Sequence, residues 1–174
     1  HRMASVMFTE GIEKLLGATE DLPGEGRLML PCWVPATPLD ESGANVDCRA
    51  IDSFYDHPRV QGLAEMMNLV GIINGDSQVV EKIVASQAHH KKIDGHAPDL
   101  VGNDLNAYIA AGVYSDHECH HLNDAIAKLQ PGQIILISEG TAAPPLEALV
   151  PLMFDKSVQR WMICTQDTHT TDLT

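Results

Sequence analysis

Basic residues are scarce in this chain: 11 Lys and Arg stand against 24 Asp and Glu, leaving a formal charge of −13 over 174 residues. The acids are spread along the chain instead of gathered in a tail, and a field of that sign repels phosphate backbones, so the expectation is no nucleic-acid partner. No apolar run approaches the roughly 20 residues that a membrane span needs, and His1-Arg2-Met3 opens no secretory leader. The expectation is a soluble protein with no membrane partner. Cys32, Cys48, Cys119 and Cys164 have no C-x-x-C spacing, and three of them sit in or beside apolar runs, where a reduced thiol behaves as a small hydrophobe. That reading favours a reducing, cytoplasmic compartment. The chain starts on His-Arg without an initiating Met, and its two ends are read as cuts through a longer protein.

What is present is alternation. Hydrophobic residues make up 44% of the chain, enough for one domain over 1–174, since a chain near 150 residues buries roughly 70% of its unfolded surface. Helical spacing of Met3, Val6, Met7, Ile12, Leu15 and Leu16 predicts a helix over 3–16. Short apolar runs bounded by Gly and Pro predict buried strands over 27–35, 59–67, 92–98, 113–118, 133–140 and 161–165. Between them, helices are expected over 76–89, 103–111, 122–129 and 146–154, with Asn103 as an N-cap and Gly112 as a stop. Residues 36–44, with Pro38 and Gly43, read as loop.

Short continuous strands that each lead into a helix imply parallel pairing with crossover helices, an α/β fold. The ionisable residues cluster at the carboxyl ends of five strands: Glu65, His96, His117-Glu118, Glu139 and Asp167. A (β/α)8 TIM barrel gathers all its strand ends at one mouth, whereas an open sheet gathers its site at one switch point. A complete barrel takes about 250 residues. Six strands therefore suggest a partial barrel of the metal-dependent hydrolase type, with its first strands missing.

Those strand ends offer His96 and His117 as imidazole ligands, Glu65 as a carboxylate able to bridge two ions, and Glu118 and Asp167 as proton carriers. His89, His90, His120 and His121 sit beside polar neighbours and read as solvated surface histidines. Met66, Met67 and Trp161 read as core packing. A rival reading takes His117-Glu118-Cys119-His120-His121 as the zinc-peptidase string H-E-x-x-H, with Glu139 as a third ligand. It requires a helix with an apolar face over 116–121, yet that stretch is polar except for Cys119. The nucleobase-deaminase pattern with P-C-x-x-C also fails, because Pro31-Cys32-Trp33-Val34 is followed by Pro35.

Five strings, in order, carry a resemblance: Leu30-Pro31-Cys32-Trp33-Val34-Pro35-Ala36-Thr37-Pro38, Gly62-Leu63-Ala64-Glu65-Met66-Met67-Asn68, Asp94-Gly95-His96-Ala97-Pro98, Ser115-Asp116-His117-Glu118-Cys119 and Glu139-Gly140-Thr141-Ala142-Ala143. The chain resembles the bacterial adenine deaminases of the amidohydrolase superfamily. That resemblance implies a (β/α)8 barrel hydrolysing adenine to hypoxanthine and ammonia with a binuclear divalent metal, manganese or iron, zinc being compatible with the same ligand types. It implies Glu65 as the bridging ligand, His96 and His117 as ligands, Glu118 as proton shuttle, Asp167 as the acid of the last strand, and His1 and Glu139 as substrate-binding residues. The partner is then a small purine, and self-association into a homo-oligomer is expected.

The chain departs from the pattern in three ways. The H-x-H pair of the family's first strand is absent. Gln166 stands in Thr165-Gln166-Asp167 where Thr-Asp-Asp is usual, so Asp167 would have to substitute. Ser138 and Pro144-Pro145 stand where more basic residues are expected. The 174 residues alone are accordingly expected to be inactive or nearly so. Two alternatives stay open: a related amidohydrolase acting on another cyclic amide or aminopurine, and a non-catalytic relic, which Gln166 favours.

Overall fold

The computed structural model describes residues 2–35, 41, 43–140 and 146–173. The order of elements is α/β throughout, with six strands and seven α-helices among the described residues. The chain divides into two compact units, His1–Asp94 and Gly95–Thr174.

In the first unit, α1 (Arg2–Ala18) covers the helix expected over 3–16 but is broken at Phe8, which leaves helical space with φ 54° and ψ −140°. Strand β1 (Leu28–Pro31) pairs in parallel with β2 (Val60–Met66), Leu30 lying opposite Leu63. The hydrogen-bonded order continues to β3 (Lys92–Gly95). Gly62 allows this approach, because a Cβ there would lie 2.0 Å from the Lys92 carbonyl oxygen. Leu30, Val46, Ile51, Val60, Leu63, Ile83 and Ile93 are buried, each contributing roughly 1.5–3 kcal/mol relative to exposure.

Two short helices were not expected. Helix α2 (Cys48–Asp52) is capped by Asp47, whose Oδ1 accepts the Ala50 N–H at 2.8 Å. Helix α3 (Leu69–Asn74) is capped by Asn68 and ends in left-handed Gly75, φ 69°. The expected helix over 76–89 is α4 (Ser77–Ala88), with Asp76 accepting the Gln78 and Val79 N–H groups. The loop expected over 36–44 falls largely outside the described residues.

In the second unit, β4 (Ser115–Asp116), β5 (Ile134–Glu139) and β6 (Trp161–Thr165) form a parallel run, with Ser115 opposite Ile134 and Glu139 opposite Thr165. Strand β4 is shorter than the expected 113–118. The Asp116 carboxylate takes the Glu118 N–H for itself, so that amide is spent on a side chain instead of a ladder. Helix α5 (Gly102–Ala110) starts before the expected Asn103 cap, since Gly102 enters it at φ 65° and Val101 holds the cap position without a side-chain bond. Gly112, at φ 102°, is the stop as expected.

Helix α6 (Leu122–Leu129) follows β4. The helix expected over 146–154 is a 3-10 turn over Leu146–Ala148 and then α7 (Val150–Phe154), because Pro151 has no N–H to bond upstream and is tolerated only in a first turn. Cys119, Ala125, Ile135, Ile137, Leu149 and Leu152 form this unit's core, and Trp161 packs against it. Among the described residues no helix is long and apolar enough to cross a membrane. All four cysteines are free thiols.

Candidate metal centre

The chemistry gathers where β3 and β4 end. Beyond Gly95 the chain turns through His96, whose N–H donates to the Tyr108 hydroxyl at 3.0 Å. A side chain at 95 would collide with the Ser115 carbonyl, 2.6 Å from an added Cβ, so only glycine lets this turn sit against β4. Beyond Asp116 come His117, almost fully buried, and Glu118. The His117 carbonyl accepts the Ser138 hydroxyl at 3.0 Å, which ties this turn to β5.

Three side chains converge. His96 Nδ1 and His117 Nε2 are 3.4 Å apart, with their rings edge to face at 5.3 Å, and His96 Nδ1 lies 3.8 Å from Glu118 Oε2. Among the described residues, His96, His117 and Glu118 form the group able to hold a metal, their ligand atoms all within 4.8 Å of one another. Donors bound at about 2.0–2.2 Å to one ion stand roughly 3–3.5 Å apart, so the two imidazole nitrogens already stand at that spacing, while the carboxylate would have to move inward to join them. Two imidazoles and a carboxylate suit zinc, iron and manganese alike.

Around the carboxylate, Glu118 Oε2 accepts the Gln166 side-chain amide at 3.3 Å and Oε1 lies 3.4 Å from His120 Nε2. Gln166 therefore touches the residue expected to carry protons. Asp167 is exposed, and so is Glu139, whose Oε2 accepts the Leu146 N–H at 3.1 Å. The structure brings neither of them into the triad. His1 lies outside the described residues. His120 and His121 are exposed, as expected, with His121 Nε2 3.4 Å from Asp99.

The peptidase geometry is absent. Residues 117–121 are not helical: His117 is buried in the triad while His121 is 57% exposed and precedes α6 as its N-cap. The two imidazoles of the H-E-x-x-H string do not share a helix face.

Glu65 belongs to the first unit and carries its own geometric signature. It holds a left-handed backbone (φ 48°) at the end of β2, a conformation that costs a non-glycine residue on the order of 1–2 kcal/mol. Trp33 Nε1–H donates to its Oε2 at 3.2 Å, and the Cys32 thiol donates to its carbonyl at 2.8 Å. Burial pushes the Cys32 thiol up to about 12, so it is a neutral donor here.

Behind the triad lies a feature the sequence reading missed. Lys128 of α6 is fully buried, its Nζ 3.2 Å from Asp116 Oδ2 and 3.1 Å from Asp124 Oδ2, and it donates to the Cys119 sulfur at 3.6 Å. Burial works against the ammonium, but the carboxylates led by Asp116 outweigh it and hold Lys128 above the ordinary lysine range. The only signal in the string was the i, i+4 pair Asp124 and Lys128, which ordinarily marks a solvated face.

No family profile matches the chain. Curated relatives do, along its whole length: adenine deaminases from Desulfatibacillum aliphaticivorans (42% identical over 173 residues), Kosmotoga olearia (43% over 174) and Dehalococcoides mccartyi (43% over 173), each match taking in 99% of this chain. The chain is related to the adenine deaminases. It spans 30% of the length of these relatives. The strings that carry the adenine deaminase resemblance, and the triad, therefore sit inside matches that take in 99% of the chain.

Proposed function

We propose that this chain is the part of an adenine deaminase that holds the metal-binding turn, in an enzyme that hydrolyses adenine to hypoxanthine and ammonia. The observation that carries the reading is the convergence of His96, His117 and Glu118 within an alignment to adenine deaminases at 39–43% identity. His96 and His117 would hold a divalent metal, manganese or iron in a binuclear centre, and Glu65 is assigned to that centre as a further carboxylate ligand. When bound, the metal supplies the Lewis acidity that ionises water near neutral pH.

Glu118 then moves protons between water and the purine ring, a role suited to a carboxylate with one oxygen beside an imidazole and the other held by Gln166. A C–O bond forms at the amine-bearing carbon, the C–N bond breaks, and ammonia leaves with a proton relayed by the site's acids. Asp167 is assigned the acid of the last strand, and His1 and Glu139 are assigned to purine binding. The strands close into a (β/α)8 barrel with the remainder of the enzyme, which works in the cytoplasm, where free thiols persist, and self-associates.

A second reading rests on one observation. Gln166 occupies the place of a usual acid and donates to Glu118, which favours a relic that keeps the fold and at most one metal.

The test replaces the matching segment of the Desulfatibacillum enzyme with residues 1–174 and measures ammonia released from adenine with Mn²⁺ or Fe²⁺. The chimera is expected to turn over, and His117→Ala within it to lose activity by about 100-fold or more, as for removal of a group that stabilises the reacting centre. A folded chimera with two ions bound and no ammonia would remove adenine as the substrate. One with no bound metal would support the relic.

A further inference from the structure

We infer that Lys128 is a positioning residue: with Asp124 it fixes the Asp116 carboxylate that clasps the two turns bearing His96, His117 and Glu118. The value of this clasp for metal binding rests on the reading of the triad as a metal centre.

Asp116 is the shared hinge of both turns. Its Oδ2 accepts the N–H of Ala97, the residue after His96, at 3.0 Å, and its Oδ1 accepts the N–H of Glu118, the residue after His117, at 2.8 Å. One rigid carboxylate thus sets the spacing of the two ligand-bearing turns. A carboxylate bound only by two backbone amides can still rock about its Cβ–Cγ bond. Lys128 removes that freedom, because its ammonium meets Oδ2 at 3.2 Å from the side of α6. Asp124, four residues earlier on the same helix, holds the ammonium at 3.1 Å and gives it a second fixed partner.

The arrangement is a poor choice for stability alone. Burying an ion pair costs several kcal/mol of desolvation per ion, and such pairs are commonly neutral or unfavourable against apolar residues of the same volume. Here two carboxylates share one ammonium, and Asp124 Oδ1 has no hydrogen-bond partner among the described residues. A protein that keeps so costly a group next to three converging side chains gains geometry from it. Groups that orient metal ligands from behind typically contribute 10- to 100-fold to metal affinity.

The test compares the 174-residue chain with Lys128→Met, Lys128→Arg and the double variant Asp124→Leu/Lys128→Met. The double variant removes Lys128 and Asp124 together and leaves Asp116, still held by the Ala97 and Glu118 N–H groups, as the one buried carboxylate, so it is expected to lose less unfolding free energy than Lys128→Met. Two readouts follow, amide hydrogen exchange at Ala97 and Glu118, and Mn²⁺ affinity by titration with electron paramagnetic resonance of the free ion. Lys128 as a positioning residue predicts that both amides exchange about 10-fold faster or more in the double variant, while β5 amides keep their protection. It also predicts that Mn²⁺ binding weakens roughly 10- to 100-fold and that Lys128→Arg recovers part of both. Unchanged exchange at Ala97 and Glu118 in a folded double variant would overturn the inference. Faster exchange in a protein whose parent form binds no Mn²⁺ would support the clasp and overturn the metal reading, so the two failures are told apart.

Discussion

In the first unit a buried polar contact joins two neutral hydroxyls, Tyr55 and Ser86; in the second one joins the Lys128 ammonium to Asp116 and Asp124. Both are nearly or fully buried, so depth does not distinguish them. Charge does. Tyr55 and Ser86 satisfy each other, with the Ser86 hydroxyl also donating to the Lys82 carbonyl at 3.0 Å, and burial pushes the Tyr55 phenol up to about 12. That is packing with its polar ends tied off. The ionic group of the second unit is tied instead, through Asp116, to the backbone of the turns that carry His96, His117 and Glu118, and on the proposed reading buried charge marks where ligand geometry is held.

The contrast can be broken first at its strongest point. Lys128→Met leaves two buried carboxylates without their cation and should cost about 3–5 kcal/mol, read as a lower urea midpoint. Tyr55→Phe, which removes one neutral hydrogen bond, should cost only about 0.5–1.5 kcal/mol. Equal losses would erase the distinction between the units.

Alkaline titration gives the next effect. The Cys32 thiol is pushed up to about 12 from an ordinary 9.0, and the Tyr55 phenol to about 12 from 10.0. In each case the unfolded chain releases its proton first. The stability these neutral groups provide is thus complete below about pH 9 and is lost as pH climbs toward 12. Lys128, held above the ordinary lysine range, loses its contribution only as pH rises through its own higher value. Melting curves across this range should fall steadily, and Tyr55→Phe should fall less steeply than the parent. An equal slope in the variant would count against Tyr55 as a contributor.

Gln166→Asp is the smallest of these changes in stability and the most informative about chemistry. It exchanges a donor to Glu118 Oε2 for a second carboxylate 3.3 Å away, and like charges that close favour the protonated acid. In the chimeric enzyme the acidic limb of the rate profile should move to higher pH, with stability changed by less than about 1 kcal/mol. An unmoved limb would mean that Glu118 is not the group that titrates there.

Much of this was legible in the string, for identifiable reasons. Strand β5 declares itself because Ile134, Ile135, Leu136 and Ile137 form an unbroken apolar run closed by Pro131-Gly132 on one side and Gly140 on the other. His96 and His117 stand out because each directly follows a short strand, β3 or β4. Helices α2 and α3 were missed because five and six residues are too few to show a period, although Asp47, Asn68 and Gly75 were available as cap signals. The inner face of α6 was read only in part, since Leu122, Ala125 and Leu129 do meet the core. Of the expected stripe only Ile126 faces outward, at 37% exposed, and the polar Asp124 and Lys128 are buried beside Ala125. Nothing local distinguishes a lysine that solvates a helix from one that neutralises a carboxylate on a neighbouring strand, because the partner, Asp116, is twelve residues away.

The most direct test of the account is Mn²⁺ binding to the 174-residue chain and to its His96→Ala and His117→Ala variants, followed by the signal of the free ion. The account predicts binding by the parent chain and a loss of at least about 10-fold in either variant, since each removes an imidazole from the donor set. Binding that is equal in all three proteins, or absent in a folded parent chain, would contradict it.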